Sequence, residues 1–247
     1  GRDQKGLSKM SFSRSALKQF SPERLVRSLG SPRPIQSIKS FGQTFFERVE
    51  QGDSNFVPKS GFNRRWNERY GNQLAGASLA LAVEKGNSRR LLNSIIHVHE
   101  SLVGIENWHV DGMERDEVNI QHLVTGIYFS TLALSSHLSR RSVSRLAGRL
   151  EGLLEKSLQN SNSNWYSSTP MLHNHCFHIL LLRYLVSSLL IQMDRGFSEY
   201  EIDFDRRLAT EARGAAIAGF ESNLRMLDEI LDGSLFEGPS YTAYGLQ

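Results

Sequence analysis

One cysteine in 247 residues rules out an intrachain disulfide framework. It leaves secretion open, because a chain this long buries a full core without cross-links. Strand-like alternation is scarce, so a sheet-based fold is not expected. No apolar stretch follows the first few residues Gly1–Met10, so no signal peptide opens the chain, and Gly1 in place of Met is expected of a processed or trimmed start. There is no fixed repeat period, which argues against a regular helical-repeat array. The best membrane-spanning candidate, Cys176–Met193, is interrupted by His178, Arg183 and Gln192. A mid-span arginine costs roughly 2.5–3.5 kcal/mol on insertion scales, so a helix buried inside a helical body is expected there, with no membrane span.

What is present is an ordinary globular composition, 39% hydrophobic and 22% charged, with a lopsided charge distribution. Residues 1–40 carry nine Lys/Arg against Asp3 and Glu23, a balance of +7; with +3 for the whole chain, the remainder carries −4. The same stretch holds nine serines and the run Ser31-Pro32-Arg33-Pro34. Such a composition reads as a solvated basic arm, and residues 1–60 are expected to be a poorly ordered or loosely packed segment. Phe12 and Phe20 are the arm's aromatics, too few for stacking on bases, so no nucleic-acid partner is expected.

Helical periodicity dominates from about Asn67. Helices are expected over 67–85 and 89–103, from about Asp116 to His137, over 142–158, from about Met171 to Met193, and over 206–231. Residues 107–113, 159–169 and 194–205 read as loops. Helix, short loop, helix, repeated about three times, is the order of stacked helical hairpins. The fold class is all-α, with residues 61–247 as its domain.

Two short motifs concentrate the chemistry. His173-Asn174-His175-Cys176-Phe177-His178 places three imidazoles and an amide at the mouth of the most apolar helix. His175 and His178, three apart, share a helical face. A zinc site would need a further ligand, such as one from His97-Val98-His99-Glu100, but the spacing matches no zinc motif, and no metal is expected. The second motif, Asp232-Gly233-Ser234-Leu235-Phe236-Glu237-Gly238-Pro239-Ser240-Tyr241-Thr242-Ala243-Tyr244-Gly245, is a Gly/Pro-shaped loop carrying two phenols three residues apart.

This pair of motifs resembles the N-terminal α/α-toroid domain of the heparinase II/III-like polysaccharide lyases, relatives of the alginate and chondroitin lyases. Asn107-Trp108 and Asn119-Ile120-Gln121-His122-Leu123 add to the likeness, which covers roughly 105–247. The resemblance implies a secreted or periplasmic, cofactor-free enzyme. Its substrate would be an anionic, uronic-acid-containing polysaccharide such as alginate or a glycosaminoglycan, cleaved by β-elimination. Removing the C5 proton puts a second negative charge beside the carboxylate, so the carboxylate must be neutralised, and the departing oxygen needs a proton. Carried over, Asn174 and His175 neutralise the carboxylate, and Tyr244 or Tyr241 is the acid/base. His173, His122, Arg183, Trp108 and Glu237 are the candidate substrate-binding residues. The family's toroid is followed by a β-sandwich that contributes a further histidine; that sandwich is absent from this chain, and an incomplete toroid is expected. A uronyl C5-epimerase of related mechanism, or a non-catalytic helical carbohydrate- or protein-binding domain, stays open beside the lyase.

Overall fold

A computed structural model describes residues 32–51, 64–83, 89–104, 114–168, 174–196 and 202–229. They form eight helices and no strand: α1 Pro32–Glu50, α2 Arg64–Val83, α3 Arg89–Gly104, α4 Glu114–Ala133, α5 Arg140–Gln159, α6 Ser161–Ser168, α7 Asn174–Gly196 and α8 Arg206–Glu229. The all-α expectation holds. The helices lie in two rows. One row runs α2, α4, α7, α8, each packed on the next; behind it α1, α3 and α5 pack in sequence, with α6 joining α5 to α7 and α8.

The local chemistry explains the boundaries. Ser139 caps α5 by accepting from the Ser142 backbone N–H at 3.1 Å. Asn160 then does two jobs: its N–H closes α5 on the Lys156 and Ser157 carbonyls, and its Oδ1 accepts from Asn162 N–H to start α6. Asp205 caps α8, accepting from Arg207 and Leu208 N–H at 2.9 and 3.0 Å. Its own N–H donates to Glu151 of α5, and Arg206 forms a two-pronged ion pair with Asp194 near the end of α7. The entry to α8 is thereby tied to two other helices.

Three expectations change. The stretch 1–60 is not loosely packed throughout. Its residues 32–50 form α1, whose Phe45 and Phe46 are buried in the core against α2 and α3. The proline pair sits in the first turn, where a missing N–H does no harm, and the apolar residues fall on one face. The polar stretch 159–169 is not all loop: 161–168 is helical because its Ser and Asn side chains bond inward to buried charges, which poor helix propensity alone does not reveal. The fourth helix stops at Ala133 rather than His137, turning through Leu134–His137. Residues 1–31 lie outside the described set.

Helix α7 is long and apolar enough to cross a membrane by length and composition, yet 78% of its apolar window is buried inside the protein. It packs on α4, α5, α6 and α8, which accounts for apolar residues on nearly every side.

The approach of α2 to α4 depends on two glycines. A Cβ on Gly71 would lie 1.9 Å from the His122 carbonyl oxygen, and one on Gly126 would lie 2.5 Å from the Gly71 oxygen. Backbone meets backbone, with no flexible side chain to yield. Gly148 of α5 has nothing within 4 Å of such a Cβ. Opposite outcomes are therefore expected from one chemical change. Gly126→Ala should destabilise the fold by about 3 kcal/mol through forced helix separation. Gly148→Ala should stabilise it by about 1 kcal/mol through helix propensity. Urea titrations of the two variants check both signs.

Candidate functional site

The N-terminal half of α7 faces α4, and three histidines gather there. His122 of α4 and His178 of α7 have ring centroids 5.3 Å apart, and His175, one turn before His178, lies close enough to perturb it. His122 and His178 are buried and His175 is half-buried. Asn174, the first residue of α7, stands next to His175 in the opening turn.

Hydrogen bonding orders the cluster. The Thr125 hydroxyl donates to the Gln121 carbonyl at 3.0 Å, leaving its oxygen to accept from Gln121 Nε2 at 2.6 Å. That orients the amide so that Gln121 Oε1 accepts from His178 Nδ1–H at 2.7 Å. His178 therefore carries its proton on Nδ1 and keeps Nε2 as an acceptor. Burial, then the neighbouring His122 and His175, push the His178 pKa down to about 4, so the ring is neutral at physiological pH.

A second polar network lies on another side of α7. Arg183 donates from Nε to Ser157 Oγ (2.9 Å), from Nη1 to Ser167 Oγ (2.8 Å), and from Nη2 to the Ser157 carbonyl (2.7 Å) and Asn164 Oδ1 (3.0 Å). The Ser157 hydroxyl passes this on, donating to Glu117 Oε2 at 2.9 Å. Glu117 Oε1 accepts from Asn160 Nδ2 at 3.1 Å and from Ser163 Oγ at 2.5 Å. Two buried opposite charges are thus bridged through a serine. Burial raises the Glu117 pKa, opposed by its three hydrogen-bond donors and by Arg183; burial lowers that of Arg183, opposed by Glu117.

The structure therefore brings together some of the residues expected to form one site. His122 and His175 meet around His178, at the end of α7 that Asn174 opens. Arg183 is separated from them: it is committed to the Glu117 network, five residues past His178 and turned toward α5 and α6. His173, Trp108, Glu237, Tyr241 and Tyr244 lie outside the described residues. His99, weighed as a zinc ligand, is instead buried on Ser130, with Nδ1 to Oγ at 2.8 Å, and among the described residues no group of His, Cys, Asp or Glu is arranged to hold a metal ion. The residues that sequence reasoning did not single out are Glu117, Gln121 as a histidine's partner, and the Ser/Asn ladder 157–167. Glu117 stands in the charged run Glu114-Arg115-Asp116-Glu117, which reads locally as a solvated helix start and gave no signal. No family model matches the chain, and no solved structure matches it with significance.

Two expectations follow for stability. His99 and His178 both have pKa values lowered to about 4 from 6.5. Between those values the unfolded chain binds protons that the folded chain refuses. Their contribution is thus complete above about pH 6.5 and is lost as pH falls toward 4, by up to about 3 kcal/mol each. The raised Glu117 acts in the opposite sense, its cost relieved as it protonates. Urea midpoints at pH 7 and 4.5 should fall with acid in the native chain, and fall less in His99→Asn. Glu117→Ala should leave Arg183 buried without its counter-charge and cost about 3–5 kcal/mol, measurable in the same titration.

Proposed function

We propose that this chain is the helical part of a polysaccharide lyase, an α/α toroid built from helical hairpins, which cleaves a uronic-acid-containing polysaccharide by β-elimination. The observation that carries the reading is the company kept by the Asn174-His175 motif. It opens α7 beside His178 and His122, where two helices supply imidazoles and a helix N-terminus supplies positive potential. The two-row packing of helices, each row in chain order, is compatible with an arc of such a toroid.

The chemistry assigns the roles. A substrate carboxylate at the mouth of α7 would receive hydrogen bonds from the Asn174 amide and the His175 ring, which lowers the cost of the charge that develops when the C5 proton leaves. His178, neutral and held by Gln121, adds no competing positive charge and keeps the cluster in one arrangement. Tyr244, with Tyr241 three residues before it, supplies the phenol that removes the C5 proton or protonates the departing oxygen. Glu237 and Trp108 fall to sugar binding by the same resemblance.

The test is a panel of uronate polymers, among them alginate and chondroitin sulfate, followed by the near-ultraviolet absorbance of the unsaturated product. Tyr244→Phe should lower turnover by roughly 10²–10⁴-fold while substrate binding stays nearly unchanged. Asn174→Ala should lower it by roughly 10²–10³-fold. Full activity in Tyr244→Phe would remove the phenol from the mechanism. Solvent deuterium entering C5 without chain cleavage would assign the epimerase chemistry instead, and binding without either reaction would leave a carbohydrate-binding domain.

A further inference from the structure

On the side of α7 away from the histidines is a cavity of about 410 Å³ between α6, α7 and α8. Taking about 30 Å³ per water as a gauge, it holds on the order of a dozen non-hydrogen atoms. The α8 wall is made of Ala212, Ala215, Ala216, Ala218 and Gly219, and Leu158 and Leu180 continue the apolar surface. The α8 wall carries nothing larger than a methyl group, and at Gly219 it closes on Leu180, where an added Cβ would lie only 2.7 Å away.

Against this apolar wall stand polar groups that the fold has fixed in place. Arg183 lines the cavity and is 6% exposed. Four of the five guanidinium N–H groups are used on Ser157, Ser167 and Asn164, so the head group cannot swing away. The fifth, on Nη1, has no acceptor among the described residues. Asn223 of α8 also lines the cavity, is only 3% exposed, and makes no side-chain hydrogen bond among the described residues. The amide's oxygen and nitrogen are not among the buried atoms closed off from solvent, so they are open to a ligand that enters the cavity. Glu117, the counter-charge of Arg183, sits behind the Ser157 hydroxyl and does not line the cavity.

We propose that this cavity is a binding site for a small amphipathic carboxylate, its acid group held by Arg183 and Asn223 and its apolar body laid along the alanine wall of α8. A carboxylate accepts from both a guanidinium N–H and an amide NH₂, and such charge-assisted bonds are roughly twice as strong as neutral ones. A neutral alcohol of the same length would gain the wall but little at the polar end. This site is independent of the lyase reading: it uses neither Asn174 nor the histidines, and stands or falls without uronate cleavage.

Octanoate, with about ten non-hydrogen atoms, suits the volume and serves as the probe, with 1-octanol as the neutral comparison. On the full chain, octanoate should raise the Tm saturably and shift the Asn223 side-chain amide signal in a proton–nitrogen spectrum, that signal being identified by its loss in Asn223→Ala. Asn223→Ala should weaken octanoate roughly tenfold. Ala218→Leu, a change at an exposed α8 position, should fill the cavity and abolish the response while the unliganded protein still melts cooperatively; Ala215→Leu repeats the test should that variant misfold. Absence of a saturable octanoate response, equal affinity for 1-octanol, or undiminished binding by both filled variants would overturn the proposal.

Discussion

The buried pair Glu117 and Arg183, bridged by the Ser157 hydroxyl, is the constraint around which much of the structure is arranged. Moving a carboxylate and a guanidinium out of water costs several kcal/mol per ion, and a pair that does not touch directly recovers this only if every remaining lone pair and proton finds a partner. The partners come from two further places: Ser157 and Asn160 at the end of α5, and Ser163, Asn164 and Ser167 along α6. Four helices are thereby held to one another. Helix α6, short and rich in weak helix formers, owes its place to these bonds rather than to propensity.

Packing around the network uses two kinds of contact. In the α2–α4 pair, Gly71 and Gly126 bring backbones together, which fixes the depth of α4 and so the position of Glu117, Gln121 and His122 on it. Between α7 and α8 the contact is made by side chains, with Phe177 and Phe220 rings 6.4 Å apart and Leu180 against Gly219. The small residues that precede them on α8 leave a cavity where a larger set would have closed the interface.

Helix α7 consequently works on two sides. Toward α4 it presents His175 and His178 to Gln121 and His122; toward α5, α6 and α8 it presents Arg183. Its chemistry differs on each side for a physical reason. Burial and the two neighbouring imidazoles push His178 toward its neutral form, whereas Glu117 opposes the loss of charge that burial imposes on Arg183. One apolar helix thus carries a neutral His178 bonded to Gln121 on one side and Arg183, held by four hydrogen bonds, on another.

The all-α class and most helix positions were legible because apolar periodicity at 3.6 residues is a local property that survives in the sequence. The concentration of Asn174, His175 and His178 was legible too, as was the identity of α7 as an internal helix, since Arg183 and Gln192 interrupt its apolar run. What tertiary structure decided is who meets whom. Nothing local marks Glu117 as buried, because its cost is met by serines and asparagines some forty residues away, and those read locally as loop formers. The five-residue spacing of His178 and Arg183 already puts them on different sides of a helix, but which neighbour each side meets is decided only by packing. The glycines follow the same logic: Gly71 and Gly126 lower helix propensity in isolation, and only the approach of two backbones shows why a side chain cannot replace them.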